Sequence, residues 1–161
     1  MSNTALKSVL SNIALQLTAL DSALHDEFLA LSHNELDDIN ASAELKISIF
    51  EKIEQFEQER CQLLQNADLE LDSKGIKTYM LRHINDPESR SEVAHIWQEI
   101  ENLTQICRRN NKINGIILEK NRQHTERALA ILKGQIPETN TTYTATGHTS
   151  VQHQSHSFVK V

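Results

Sequence analysis

Glycine and proline are scarce in this sequence, with 4 and 2 in 161 residues, and both prolines come late, at Pro87 and Pro137. So few breakers leave room for long helices and argue against a central sheet. Aromatic residues make up 4%, too few for the core of an ordinary mixed fold. There are two cysteines, Cys61 and Cys107, without C-x-x-C spacing. They predict half-buried or buried thiols in a reducing compartment, and no disulfide framework. No apolar run approaches the ~20 residues of a membrane span, so no stable membrane insertion is expected. The N-terminus "MSNTALKSVL" lacks the basic start and apolar stretch of a secretory leader. An excess of positive charge is also missing. The net charge of −6 argues against nucleic acid and anionic membrane as general partners. The expectation is a soluble, cytoplasmic protein.

Catalytic signatures are missing too. There is no Gly-rich phosphate loop, no G-x-S-x-G and no Cys–His pairing. A di-metal helical bundle needs two Glu-x-x-His motifs, and Glu92 with His95 supplies one. His25, His33, His83 and His124 are scattered, and His148, His153 and His156 lie in a polar tail. No enzyme, no metal and no cofactor is expected.

What the chain does contain is helical periodicity. Leu6, Leu10, Ile13, Leu17, Leu20, Leu24 and Leu31 follow heptad spacing, with Glu27 as an acid on the seam. A phase break near Ser32–Asn34 predicts a turn, with Asn34 as N-cap of the next helix. That helix should run to about Asn66 along Leu36, Ile39, Ala43, Phe50, Ile53 and Leu64, with Ile49, Phe56 and Leu63 on its shoulder. "NADLELDSKG" reads as a loop, followed by a short helix over roughly Ile76 to Ile84. Asp86, Pro87 and Glu88 start the last helix, and Lys133, Gly134 and Pro137 stop it. At ~1.5 Å per residue that helix spans about 70 Å. From Gln135 the composition turns to Thr, Ser, Gln and His without a period, which predicts disorder. The fold class is therefore all-α: an elongated antiparallel bundle or coiled coil of three main helices and a short extra one. The domains are 1–134 for the bundle and 135–161 for a flexible tail.

The stretch "CRRNNKINGIILEKN" places poor helix formers inside the last helix. At 100° per residue, Ile96, Ile100, Leu103, Cys107, Asn110, Leu118, Asn121, Ala128 and Leu132 fall within about 40° of Asn114. Ile106, Ile113, Ile117 and Ile131 form a stripe on one shoulder. One reading is registry, in which a seam asparagine fixes alignment and Gly115 is a close-approach point or merely tolerated. The other is a partly uncovered helix-binding face, with Ile106, Ile113, Asn114, Ile117, Asn121 and Ile131 as client-binding residues. The pattern leaves both open. Trp97 reads as a packing residue.

"LHDEFLAL" (Leu24–Leu31), Lys46, Arg60, "IWQEIENLTQIC" and C-x-x-x-N-x-x-N-G at Cys107, Asn111, Asn114 and Gly115 together resemble the FlgN family of bacterial flagellar export chaperones. In the tail, Y-x-A-x-G at Tyr143, Ala145 and Gly147 resembles a short family motif, with Thr144 and Thr146 departing from its usual glycine and acid. The resemblance implies a cytoplasmic chaperone for hook-associated proteins, the hook–filament junction subunits. It would escort them to the flagellar type III export gate. It also implies client contacts in the C-terminal part of the chain and gate docking through Tyr143. The rival reading is a structural coiled-coil adaptor or homo-oligomeric tether without a client.

Overall fold

The structure, a computed structural model, describes residues 2–134, 141–143 and 149–151, with side chains described for residues 5–134. Four helices follow one another: α1 (Ser2–His33), α2 (Leu36–Gln65), α3 (Ser73–His83) and α4 (Pro87–Leu132). Two compact units are present, Met1–Glu119 and Lys120–Val161, so α4 contributes residues to both.

In the first unit α1 is the central element. Leu6, Leu10, Ile13, Leu17, Leu20, Leu24 and Leu31 are all buried, and Glu27 is buried with them. The heptad spacing thus marks the line along which α1 meets its neighbours. Each such leucine or isoleucine is worth about 1.5–3 kcal/mol of burial. α2 returns antiparallel to α1. The short turn between His33 and Leu36 together with the Glu27–Lys46 pair folds α2 back along α1, while Lys7–Glu92 and Leu17–Cys107 show residue numbers in α1 and α4 rising together. α4 therefore runs parallel to α1 and antiparallel to α2.

The helix ends follow local chemistry. Asn34 is not an N-cap. It takes a left-handed conformation, φ 62°, and terminates α1, with the Glu35 amide donating to the Ala30 carbonyl at 3.0 Å. Asparagine serves both roles because it tolerates positive φ almost as it caps. Glu35 is the N-cap of α2 and makes no side-chain capping bond, while Asp37 and Asp38 occupy the first turn. The apolar line of α2 is also shifted from the expected one. Ile49 and Leu64 are buried, and so are Ser42 and Arg60, whereas Leu36 and Phe50 are exposed. The hydroxyl of Ser42 is accommodated by donating to the Asp38 carbonyl at 2.8 Å.

α3 begins at Ser73, earlier than expected, because Asp72 caps it. The Asp72 carboxylate accepts from the amides of Lys74 at 2.9 Å and Gly75 at 3.1 Å. Gly75 is required there: a Cβ would lie 1.7 Å from the Glu70 carbonyl oxygen. Asp86 caps α4 as expected, accepting from the Ser89 amide at 2.8 Å and its hydroxyl at 2.6 Å. α4 ends at Leu132, and Gly134 just beyond it has a φ of 72° that suits glycine.

In the second unit, Thr141–Tyr143 and Thr149–Val151 pair as short antiparallel strands, β1 and β2. This ribbon lies in the segment expected to be without regular structure. The rest of the tail, including Ala145, Gly147 and the three histidines, lies outside the described residues, as does the side chain of Tyr143.

Candidate functional site: the apolar surface of α4

Two asparagines of α4 have a direct structural role. Cys107, Asn110 and Asn114 lie on successive turns facing α1, and each donates to it. The Cys107 thiol reaches the Leu17 carbonyl at 3.6 Å. The Asn110 amide reaches the Asp21 carboxylate at 2.9 Å. Asn114, buried at 3% exposure, donates to the Leu24 carbonyl at 2.8 Å and to Glu27 Oε2 at 2.9 Å. The other oxygen of Glu27 accepts from Lys46 Nζ at 2.6 Å. Glu27, Lys46 and Asn114 thus join α1, α2 and α4 in one buried polar cluster, where an unpaired partner would be costly. Burial, with Asp21 nearby, pushes the Cys107 thiol up to about 11, so it is protonated and unreactive at neutral pH.

A second tie sits near the other end of α2. Buried Arg60 donates to Glu57 at 2.8 and 3.0 Å and to the Leu71 carbonyl at 3.0 Å, and it lies 5.5 Å from the Trp97 ring. Trp97 Nε1 donates to the Ser73 hydroxyl at 3.2 Å, so it packs and also bonds. Between these two ties the seams of α1, α2 and α4 enclose an open groove of about 780 Å³, floored by Leu17, Leu20 and Leu24 and walled by Phe50, Ile53 and Ile100.

The burial of α4 changes along its length. On the face centred on Asn114, Ile100, Cys107 and Asn114 itself are buried. Beyond Asn114 the same face is open: Leu118 is 51% exposed. On the shoulder, Ile113 is 42% exposed and Ile117 half-buried, and Ile116 adds a further exposed side chain. At 100° per residue Ile113, Ile116 and Ile117 share an apolar stripe about 100° wide, and Leu118 stands about 100° beyond its edge on the Asn114 face. In the second unit, Leu129, Ile131 and Leu132 are exposed as well.

A family model described as FlgN protein matches residues 1–150. The chain belongs to the FlgN family. Two curated relatives, each named Flagella synthesis protein FlgN, come from Salmonella typhimurium and Salmonella typhi. Each is 29% identical over 153 residues, 94% of this chain and 94% of the relative. No solved structure matches the chain. The FlgN match therefore takes in all four helices and both strands as far as Ser150.

Of the residues that sequence singled out in this FlgN chain, Ile113, Ile117 and Ile131 stand at the surface or partly so. Ile106 and Asn121 are half-buried. Asn114 is buried and its amide is engaged within the fold, with Leu24 and Glu27 of α1. Gly115 is not a close-approach point, since a Cβ there would meet nothing within 4 Å. The spacing did not single out Ile116, and it placed Leu118 and Leu132 on the Asn114 face without fixing whether that face is covered there. Angle alone cannot show where along a helix the covering neighbours stop. Among the described residues, no group of three or more His, Cys, Asp or Glu is arranged to hold a metal, and no helix is long and apolar enough to cross a membrane.

Proposed function

We propose that this protein serves flagellum synthesis as a non-catalytic cytoplasmic export chaperone. It binds unassembled hook-associated proteins and escorts them to the flagellar type III export gate. The observation that carries this reading is the exposed apolar stretch of α4 from Ile113 to Leu118, directly after a seam that is buried up to Asn114. An amphipathic client helix laid on these side chains buries hydrocarbon on both partners. Binding then holds the client in its unassembled state by mass action. Membership in the family and the relatives' printed name, flagella synthesis protein, support the flagellar setting.

Gate docking falls to Tyr143, whose backbone lies in β1. A tyrosine can anchor a partner by burying its ring while its hydroxyl keeps a hydrogen bond. The test is calorimetric titration of the full chain with terminal helical segments of hook-associated proteins, alongside a Tyr143→Ala variant titrated with a gate protein. The proposal expects saturable client binding, and a loss in the variant confined to the gate. Absence of client binding would favour a client-free adaptor or tether.

A further inference from the structure

The helix α3 differs in charge from the rest of the chain. Its charged side chains are Lys74, Lys77 and Arg82, all basic and all exposed, in a protein of net charge −6. Of the nearby acids, Asp72 caps α3 and faces Lys74, Asp86 caps α4 and faces Arg90, and Glu101 accepts from the Ser73 hydroxyl, while Glu70 and Glu88 are exposed. Among the described residues no ion pair engages Lys77 or Arg82.

Beside Lys77 lies an open pocket of about 470 Å³ between α3 and α4, lined also by Met80, Leu81, Pro87, Arg90, Ser91 and Ala94. Leu81, 66% exposed, forms its outer edge. The Arg90 guanidinium donates to the Ile84 carbonyl at 2.8 and 3.2 Å, which fixes the end of α3 against the first turns of α4. The pocket is thus preformed, largely hydrocarbon in its walls with Ser91 among them, and it carries Lys77 at its edge.

We infer that this pocket is a second docking surface, one that takes an acidic peptide segment bearing a single large apolar side chain. The apolar side chain enters between Met80, Leu81 and Ala94, and flanking carboxylates meet Lys77 and its basic neighbours on α3. Ala94 and Ile113 are separated by about 28 Å of helix at ~1.5 Å per residue, so the two surfaces can be occupied together. A bilayer fits less well, because membrane recruitment takes a larger basic cluster and a continuous apolar face. Nucleic acid fits less well because it requires many phosphate contacts, and the chain as a whole is acidic.

The test uses the full chain, isotopically labelled, titrated with a short Asp/Glu peptide carrying one central phenylalanine. Parallel titrations use the same peptide with Gln and Asn for its acids, the peptide with alanine for phenylalanine, phosphatidylserine vesicles and an oligothymidylate. The acidic phenylalanine peptide is expected to shift the amides of Lys77, Leu81 and Ala94. Both altered peptides should bind at least about tenfold more weakly. Lys77→Glu and Leu81→Asp, two exposed positions, should each weaken the acidic peptide to the same degree. The thermal melt and the binding of hook-associated segments should stay unchanged. Silence of these amides, equal binding of the neutral peptide, unaltered affinity in both variants, or tighter binding of vesicles or oligonucleotide would each overturn the inference. The amide shifts, the peptide affinities and the effects of the two variants on them do not depend on whether the Ile113–Leu118 surface binds a client.

Discussion

The Asn114 amide donates to the Glu27 carboxylate at 2.9 Å across the α1–α4 interface, and Lys46 completes the cluster from α2. Glu27→Ala leaves the Lys46 ammonium, itself only 16% exposed, without its counter-charge. It should cost about 3 kcal/mol in urea denaturation. Glu27→Leu combined with Lys46→Met should recover most of that loss, because an apolar replacement of a buried pair is often neutral. A single substitution without effect would show that the cluster is not needed to hold the three helices together.

The two helical glycines should respond in opposite directions. Gly115 has open space where a Cβ would go, so Gly115→Ala should raise stability by about 0.5–1 kcal/mol. Gly75 has the Glu70 backbone there, so Gly75→Ala should lower stability by about 2 kcal/mol. Paired denaturation curves decide both. Destabilisation by Gly115→Ala would mean that this face of α4 is covered after all.

The capping aspartates predict acid sensitivity. Hydrogen bonds from the Gly75 amide and from Ser89 hold Asp72 and Asp86, respectively, below their ordinary value of 3.8. A carboxyl whose folded value is depressed stabilises the fold above its unfolded value, and that contribution fades as pH falls through the folded value. Stability should therefore decline from about pH 4 downward. Asp72→Asn with Asp86→Asn should flatten that decline while still capping. Melts recorded from pH 6 to pH 2 test this, and an unchanged slope in the double variant would contradict it.

Much of the fold could be read from residue spacing. The seven apolar seam residues of α1 are buried as their spacing implies, and Glu27 was visible as an acid among them. Its partners Lys46 and Asn114 were not, because they come from other helices and spacing carries no inter-helix register. The Asp86 cap was legible through the following Pro87. The Asp72 cap was missed, since the polar residues around it read as continuous loop. Asn34 was misassigned because one residue type suits both a helix start and a left-handed helix end. The isoleucine stripe of α4 was legible as a face. Its exposure depends on where neighbouring chain ends, and periodicity does not contain that information.

Chaperone function requires the surface from Ile113 to Leu118 to be a binding face. The most direct measurement is the affinity of Ile113→Asp for a hook-associated terminal segment, taken together with its thermal melt. Ile113 is 42% exposed in the free protein, so the aspartate stays hydrated there and stability should change by less than about 0.5 kcal/mol. On binding, the carboxylate would be desolvated without a partner, and affinity should fall at least about tenfold. Unchanged affinity, or a loss of binding matched by an equal loss of folding, would contradict the account.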